Sequence, residues 1–263
     1  MQDPSLSDLF CVRGKSVLIT GGGGGIGRML TETFLRAGAK VTITGRKPEA
    51  LDRVREEFAP LGELRTITGD LSTGTGAQAV AEAYLATGAP LNVVINNAGR
   101  AWGAPLEAFP VSAWADVFAV NVQAPFVLVQ ALLPALKACA STADPARVIN
   151  IGSIYGLTSK VQNSFSYSAS KAALHQLTRV LASELAAHQI LVNAIAPGLF
   201  PSNMTEFVFA DDGRRQQFVA NIPLGRHGTR EDIGGLCVFL SSRAGSYITG
   251  TIIPLDGGVV ARG

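Results

Sequence analysis

Short apolar runs rich in Val and Ile alternate along the chain with longer segments in which apolar residues recur every three or four positions. Runs that are brief and apolar at consecutive positions are typical of strands buried on both faces of a parallel sheet. They predict seven strands, at residues 17–20, 41–44, 64–68, 91–96, 148–151, 191–195 and 251–254. Because right-handed crossovers place helices on both faces of such a sheet, we predict an α/β, doubly wound Rossmann fold with ligands at the carboxyl ends of the strands.

Two of the predicted helices, at residues 111–136 and 164–187, are long and carry apolar stripes. We interpret these stripes as contacts with the core or with another subunit, not as cofactor contacts. Pro125 lies in the first of these helices, four residues after Asn121. Because proline has no N–H, the Asn121 carbonyl loses its helical donor, and the result is either a simple kink or a carbonyl that is free to hold a water molecule.

Residues 199–226 differ from the rest of the chain because they contain Pro, Phe and Asn without a clean period. A long connection in a compact domain is more often functional than idle. We therefore expect a mobile substrate lid at about residues 199–226.

Composition adds limits to this interpretation. A chain of 263 residues that is 47% hydrophobic and has no Pro/Ser-rich linker is expected to form one domain over residues 1–263. Its net charge of +2, without a Lys/Arg cluster, gives no sign of a nucleic-acid partner. No apolar run approaches about 18 residues and the first residues lack a signal-peptide pattern, so we expect no membrane partner and a cytoplasmic location. Cys11, Cys139 and Cys237 are widely spaced and predict neither a disulfide nor a metal site.

A glycine-rich loop follows the first predicted strand, where residues 20–27 read Thr-Gly-Gly-Gly-Gly-Gly-Ile-Gly. Alone, such a run is as compatible with a flexible turn as with a binding loop. Between a strand and a helix, however, glycines allow the main chain to approach a pyrophosphate, which the free N–H groups and the helix dipole stabilise. We therefore predict dinucleotide contacts at four positions of the loop, namely Gly21, Gly25, Ile26 and Gly27.

Arg46 bears on which dinucleotide is bound. An acidic side chain after the second strand usually holds a free ribose 2′-hydroxyl, whereas a 2′-phosphate requires a cation there. Here the sequence after the second strand is Gly45, Arg46 and Lys47, without a carboxylate. The alternative is a solvated turn, but the spacing from Gly27 favours NADP (NADPH) with Arg46 at the phosphate.

Tyr167 and Lys171 are the candidate catalytic pair. Tyrosine has a pKa near 10 and needs a cation to act near neutrality, and Lys171 lies four residues later, on the same helical face. A lone pair with this spacing is common by chance, and the specificity comes from Ser153, which ends the fifth predicted strand. Its hydroxyl can hold a substrate carbonyl oxygen while Tyr167 delivers a proton.

Together, these motifs resemble the short-chain dehydrogenase/reductase family over essentially the whole chain. The resemblance implies Asn121 as a fourth catalytic residue and Lys171 as both a ligand of the nicotinamide ribose and the group that lowers the Tyr167 pKa. It also implies a homotetramer, or a homodimer. It adds cofactor contacts at Asp70, Leu71, Asn97, Gly99, Tyr167, Lys171, Pro197, Gly198 and Ser202.

Two positions depart from the family pattern: Ser202 stands where Thr is usual, and Gly24 stands where many NADP-dependent members carry a basic residue. Finer stretches resemble most closely the branch of rhamnolipid-type 3-oxoacyl reductases and their fungal relatives. These stretches are residues 102–107, 145–150 and 200–205.

We therefore expect an NADP(H)-dependent oxidoreductase that interconverts a ketone, including 3-oxoacyl groups, and a secondary alcohol. The alternatives are an NAD(P)-dependent polyol or sugar dehydrogenase and a non-catalytic dinucleotide-binding protein. We interpret His175, one helical turn after Lys171, as a packing or surface residue. Candidate substrate-pocket residues, for which packing is an equal alternative, are Trp102, Tyr155, Gln162 and Phe209.

Overall fold

A computed structural model describes residues 5–159 and 163–262. Seven parallel strands form one sheet in the order β3-β2-β1-β4-β5-β6-β7. The strands are β1 Ser16–Thr20, β2 Lys40–Gly45, β3 Leu64–Thr68, β4 Val93–Asn96, β5 Ala146–Ile151, β6 Ile190–Pro197 and β7 Ile252–Leu255. All seven predicted strands are confirmed, each with its ends within two residues of the prediction. The doubly wound Rossmann fold is therefore confirmed.

Helices cover both faces of the sheet. The helices are α1 Leu6–Leu9, α2 Gly25–Arg36, α3 Pro48–Phe58, α4 Gly74–Leu85, α5 Ser112–Phe118, α6 Ala124–Cys139, α7 Phe165–Leu185, α8 Glu206–Phe209, α9 Asp212–Ala220 and α10 Arg230–Ser241. Apolar residues of α2, α3 and α10 fill one side of the sheet, and those of α4, α6 and α7 fill the other. Because both faces are covered, the strands are apolar at consecutive positions and the loops at their carboxyl ends are left to bind ligands.

The first long helix is not a simple kinked α-helix. Helices α5 and α6 are joined by a π turn at Ala119–Gln123, in which the Ala124 N–H donates to the Ala119 carbonyl five residues earlier. Pro125 follows directly and offers no N–H to the Asn121 carbonyl. A π turn of this kind is frequent at functional sites because it redirects side chains within a continuous helix.

The combined segment Ser112–Cys139 is long and apolar enough, by length and composition, to cross a membrane, with a mean hydropathy of 1.6. It also contacts α4 and β5, and 39% of its most apolar window is buried in the fold. Core helices commonly pass the same test. The part of the segment that stays exposed in the single chain includes the apolar side chains of Trp114 and Phe126.

Residues 199–226, whose sequence has no clean period, include two short helices, and their role as a mobile substrate lid stays a prediction. The two helices are α8 and α9, whose side chains Phe207 and Phe218 pack edge to face at 6.1 Å. The Asp211 side chain caps α9 by accepting from the Arg214 N–H at 2.6 Å. Both helices are too short to show a recognisable period, and Asp211 is the sequence signal that marks the start of the second.

Candidate active site

The glycine-rich loop has the close packing that a phosphate-binding cradle requires. Gly21 and Gly25 adopt positive φ values of +64° and +49°. A Cβ at Gly27 would lie 2.1 Å from the Gly21 carbonyl oxygen, so no side chain fits there. Helix α2 begins at Gly25, and its first N–H groups, including that of Ile26, have no partner within the helix. The loop thus presents main-chain donors and a helix dipole to an anion.

The loop after β4 is fastened to this cradle. The Thr20 hydroxyl oxygen accepts hydrogen bonds from the N–H groups of Asn97, at 3.0 Å, and Ala98, at 2.9 Å. In return, the Asn97 side chain donates to the carbonyls of Thr20, at 2.9 Å, and Gly21, at 3.2 Å. These bonds fix Gly99 at the carboxyl end of the sheet, between the cradle and α7.

Arg46 is exposed directly after β2, and no carboxylate precedes it at Gly45. At the end of β3, the Asp70 carboxylate accepts from the Ser72 N–H at 3.0 Å and the Ser72 hydroxyl at 2.8 Å. These bonds lower the pKa of Asp70, and the charge of Arg46 contributes to the same shift. Leu71 is buried beside it. Arg46 and Asp70 therefore share one edge of the sheet, with the cation nearer the end of β2.

Ser153, Tyr167 and Lys171 meet at the carboxyl end of β5. Ser153 follows the strand, and its hydroxyl is hydrogen-bonded to the phenol of Tyr167 on α7. The ammonium of Lys171 lies 5.6 Å from the centre of the Tyr167 ring and donates to the Ile151 carbonyl at 2.8 Å. A hydroxyl, a phenol and an ammonium group are therefore available in one cleft to bind a carbonyl oxygen and protonate it.

The expectation that Lys171 lowers the tyrosine pKa was wrong, because burial decides the direction of the shift. Burial raises the pKa of Tyr167 to about 12, and the hydrogen bond with Ser153 opposes this shift only in part. Burial also lowers the pKa of Lys171 to about 8. Desolvation disfavours the charged form of each group, so the pair favours a neutral phenol that can donate a proton.

The side chain of Asn121 joins the β4 loop to α7. Its carbonyl oxygen accepts from the Arg100 N–H at 2.8 Å, and its amide donates to the Arg100 carbonyl and the Ser170 hydroxyl, each at 2.9 Å. With these bonds made, the fully buried side chain has little capacity left for a substrate. The main-chain carbonyl in the π turn is the Asn121 atom that remains able to hold a water molecule.

The loop after β6 closes the other side of the cleft. Pro197 ends the strand, and a Cβ at Gly198 would lie 2.9 Å from the Cα of Asp256. Ser202 lies against the cradle, since its Cβ is 2.8 Å from the position of a Cβ on Gly25. The predicted contacts of the β6 loop are thus brought to the same cleft as the glycine-rich loop.

Two residues of this loop were missed in the sequence. The Thr205 hydroxyl accepts from the Ser202 N–H at 2.9 Å and donates to the Phe200 carbonyl at 2.6 Å, which fixes the turn. The methyl group of Met204 lies 3.6 Å from the position of a Cβ on Gly99. A hydroxyl residue three positions after Ser202 is a turn signal that could have identified Thr205, whereas nothing in the sequence pattern marks Met204.

The remaining candidate residues differ in their surroundings. Tyr155 packs against Tyr167, with ring centroids 6.1 Å apart. Trp102 is exposed, and Phe209 packs against His227 at 5.1 Å. His175 is buried, with its ring against Gly152, so the packing interpretation is confirmed. Gln162 lies outside the described residues.

Comparisons with known proteins agree with this geometry. A family model described as enoyl-(acyl carrier protein) reductase matches residues 22–260. The chain is 44% identical to the rhamnolipids biosynthesis 3-oxoacyl-[acyl-carrier-protein] reductase of Pseudomonas aeruginosa, over 95% of this chain and 97% of the relative.

The chain belongs to the short-chain dehydrogenase/reductase family.

The resemblance found in the sequence is thereby confirmed, including its branch. The structure matches that of the Pseudomonas aeruginosa RhlG/NADP active-site complex with a TM-score of 0.94 and 43% identity, covering 96% of this chain and 99% of that one. The chain is also 34% identical to gluconate 5-dehydrogenase of Gluconobacter oxydans, over 96% of this chain and 97% of the relative. Relatives of the family thus include both acyl and sugar oxidoreductases.

Proposed function

We propose that this protein is an NADPH-dependent reductase of 3-oxoacyl thioesters, which converts the 3-oxo group to a secondary alcohol. The observation that carries the proposal is the meeting of Ser153, Tyr167 and Lys171 at the strand ends that also hold the glycine-rich cradle. When bound, the nicotinamide supplies the hydride.

Each residue of the cleft has a distinct part in this proposal. The Ser153 hydroxyl holds the ketone oxygen, and the Tyr167 phenol gives its proton to that oxygen. Lys171 binds the nicotinamide ribose. Its positive charge stabilises the Tyr167 phenolate once the proton has left. Asn121 acts through position: its side chain holds the β4 loop, and its main-chain carbonyl binds a water molecule. After Lys171 has given a proton to the Tyr167 phenolate, this water molecule replaces the proton on Lys171.

The cradle fits a dinucleotide, because Gly25 and Gly27 pack too closely on Ser202 and Gly21 to carry side chains, and the main-chain N–H groups at the start of α2 are left open to a pyrophosphate. We assign pyrophosphate contacts to Gly21, Gly25, Ile26 and Gly27, adenine contacts to Asp70 and Leu71, and a contact with the nicotinamide amide to Ser202. Asn97, Gly99, Pro197 and Gly198 line the nicotinamide half of the site. Arg46 binds the 2′-phosphate, and NADP-bound relatives support this choice.

The 44% identity to a 3-oxoacyl-[acyl-carrier-protein] reductase favours an acyl chain over a sugar, and an apolar groove beside α7 is compatible with this choice. The groove has a volume of about 550 Å³ and includes Ser168 on α7. Its remaining lining is mostly aromatic and aliphatic, with Leu106, Phe109, Trp114, Ser159, Ser164 and Phe165. A polyol would require hydrogen-bonding partners along its length, whereas this lining supplies apolar area.

The decisive test is a substrate panel followed at the nicotinamide absorbance with NADPH and NADH. We expect the highest kcat/KM for 3-oxoacyl thioesters with NADPH. Oxidation of gluconate or a polyol at a higher kcat/KM than any 3-oxoacyl reduction would transfer the protein to the sugar dehydrogenase class. Cofactor binding without turnover of any substrate would support a non-catalytic role.

We also propose that the protein is a cytoplasmic homotetramer. Apolar side chains on the two long helical segments are exposed in the single chain outside that groove, namely Phe126 and Val180. A second copy would cover them. Light scattering after size exclusion should give a mass of about four chains, and a monomer would contradict the proposal.

A further inference from the structure

Tyr155 is a second phenol beside the proposed proton donor, and the chemistry of ketone reduction does not use it. Its ring packs edge to face against that of Tyr167, with centroids 6.1 Å apart and planes at 78°. The residue is partly exposed. Across residues 5–159 and 163–262, its hydroxyl has no hydrogen-bond partner. A polar group is therefore available beside the reacting centre.

The main chain holds Tyr155 in a fixed position. Its N–H donates to the Ser153 hydroxyl oxygen at 3.2 Å, within the short 3₁₀ turn Ile154–Gly156. A Cβ at Gly156 would lie 2.7 Å from main-chain atoms of Lys171 and Ala172, so the turn packs directly on α7. The main chain at Tyr155 is thus held against Ser153 and α7, which carry the catalytic groups.

The two phenols are also electrically coupled. Burial is the larger cause of the raised pKa of Tyr167, and Tyr155 adds to the shift in the same direction. The ring contact at 6.1 Å places the Tyr155 side chain beside Tyr167 at the same cleft. The cleft therefore offers hydroxyl groups from Ser153, Tyr167 and Tyr155, one more than a single ketone oxygen requires.

A 3-oxoacyl thioester carries a second carbonyl, one carbon away from the ketone. We propose that the Tyr155 hydroxyl donates a hydrogen bond to this thioester carbonyl, while Ser153 and Tyr167 hold the 3-oxo oxygen. Tyr155 is then a specificity-determining residue for 1,3-dicarbonyl substrates. The proposal rests on the proposed function.

The reaction balances without a contribution from Tyr155. A hydride adds to C3, the proton of Tyr167 moves to the C3 oxygen, and the thioester C=O and C–S bonds are unchanged. Tyr155 keeps its proton throughout. Its hydroxyl therefore affects which substrate is oriented in the cleft, and a ketone without a second carbonyl does not benefit from it.

The test compares Tyr155→Phe with the wild type on two substrates of equal chain length. One is the N-acetylcysteamine thioester of 3-oxooctanoate, and the other is 2-octanone, which has a single carbonyl. We expect kcat/KM for the thioester to fall about 3- to 10-fold, the range for one neutral hydrogen bond, and kcat/KM for 2-octanone to change less than 2-fold. Tyr247→Phe is the matched control, because Tyr247 is fully exposed, and it should change neither value.

The outcomes separate this inference from the proposed function. Equal losses on both substrates, or no loss on either, would overturn the role of Tyr155 while leaving thioester reduction by the wild type intact. A wild type that reduces 2-octanone with the higher kcat/KM would overturn the proposed function itself. Unchanged thermal unfolding of Tyr155→Phe would show that a selective loss comes from the missing hydroxyl.

Discussion

Arg46→Ala tests the cofactor assignment at one side chain. Arg46 is exposed at the end of β2, and across residues 5–159 and 163–262 it forms no ion pair within 4.0 Å. Its removal therefore breaks no salt bridge in the fold. Gly45→Asp is a less direct test, because a Cβ there would lie 3.1 Å from Leu51 and would require that side chain to move.

The expected magnitude follows from the exposure of Arg46. Hydrogen bonds to charged groups contribute about 1.5–3 kcal/mol, and an exposed guanidinium lies at the lower end of that range because water screens it. We therefore expect Arg46→Ala to weaken NADPH binding by about 1.5–2 kcal/mol, which is roughly a 10- to 30-fold increase in Kd. NADH lacks the 2′-phosphate, so its Kd should change less than about 2-fold.

Calorimetric titration of both cofactors measures the two Kd values directly. Arg53→Ala is the matched control, because it removes an exposed cation from the neighbouring helix α3 and leaves the end of β2 intact. It reports the effect of net charge alone. Equal weakening of NADPH in both variants, or tighter binding of NADH than NADPH by the wild type, would refute the assignment of Arg46 to the phosphate.

Three further variants test the interior of the fold. Asp144→Asn removes the carboxylate that pairs with the buried cations Lys15 and Arg147. It should lower the free energy of unfolding in urea by about 3 kcal/mol, and an unchanged unfolding midpoint would contradict this. Pro125→Ala restores a main-chain donor next to the π turn and should lower kcat with little change in cofactor Kd. An unchanged kcat would mean that Pro125 only bends the helix and does not free a carbonyl for a water molecule. Burial lowers the pKa of His175 to about 4, so unfolded chains bind more protons below about pH 6.5 and stability falls from there towards pH 4. His175→Leu should lose less stability over that interval, and parallel denaturation curves at pH 7 and pH 4.5 would show the difference.

Strands β1, β4, β5 and β6 could be predicted because every residue in them is buried, whereas the edge strands β3 and β7 are only partly buried. Runs such as the one that became β6 are buried at every position, so the sequence shows apolar residues without a polar alternation. The placement of Tyr167 and Lys171 on one face could also be predicted, because residues four apart share a face in any intact helix. Local rules were sufficient for both.

Other features depend on contacts between segments far apart in the chain. The π turn carries Asn121, whose side chain accepts from the β4 loop and donates to α7, and the sequence of one helix does not contain these partners. The same holds for the pKa of Tyr167, whose direction is decided by burial under neighbouring loops. Helices α8 and α9 are too short for a helical period of apolar residues to be recognised in the sequence. Packing between the two helices determines their structure.

The central claim is that Tyr167 protonates the substrate ketone. Tyr167→Phe keeps the ring and the cofactor cradle and removes the proton donor. With a 3-oxoacyl thioester and NADPH, we expect kcat to fall by about 100-fold or more while the Kd of NADPH stays within about 2-fold of the wild type. Tyr247→Phe should leave both unchanged. A Tyr167→Phe enzyme that retains near-wild-type kcat would contradict the account.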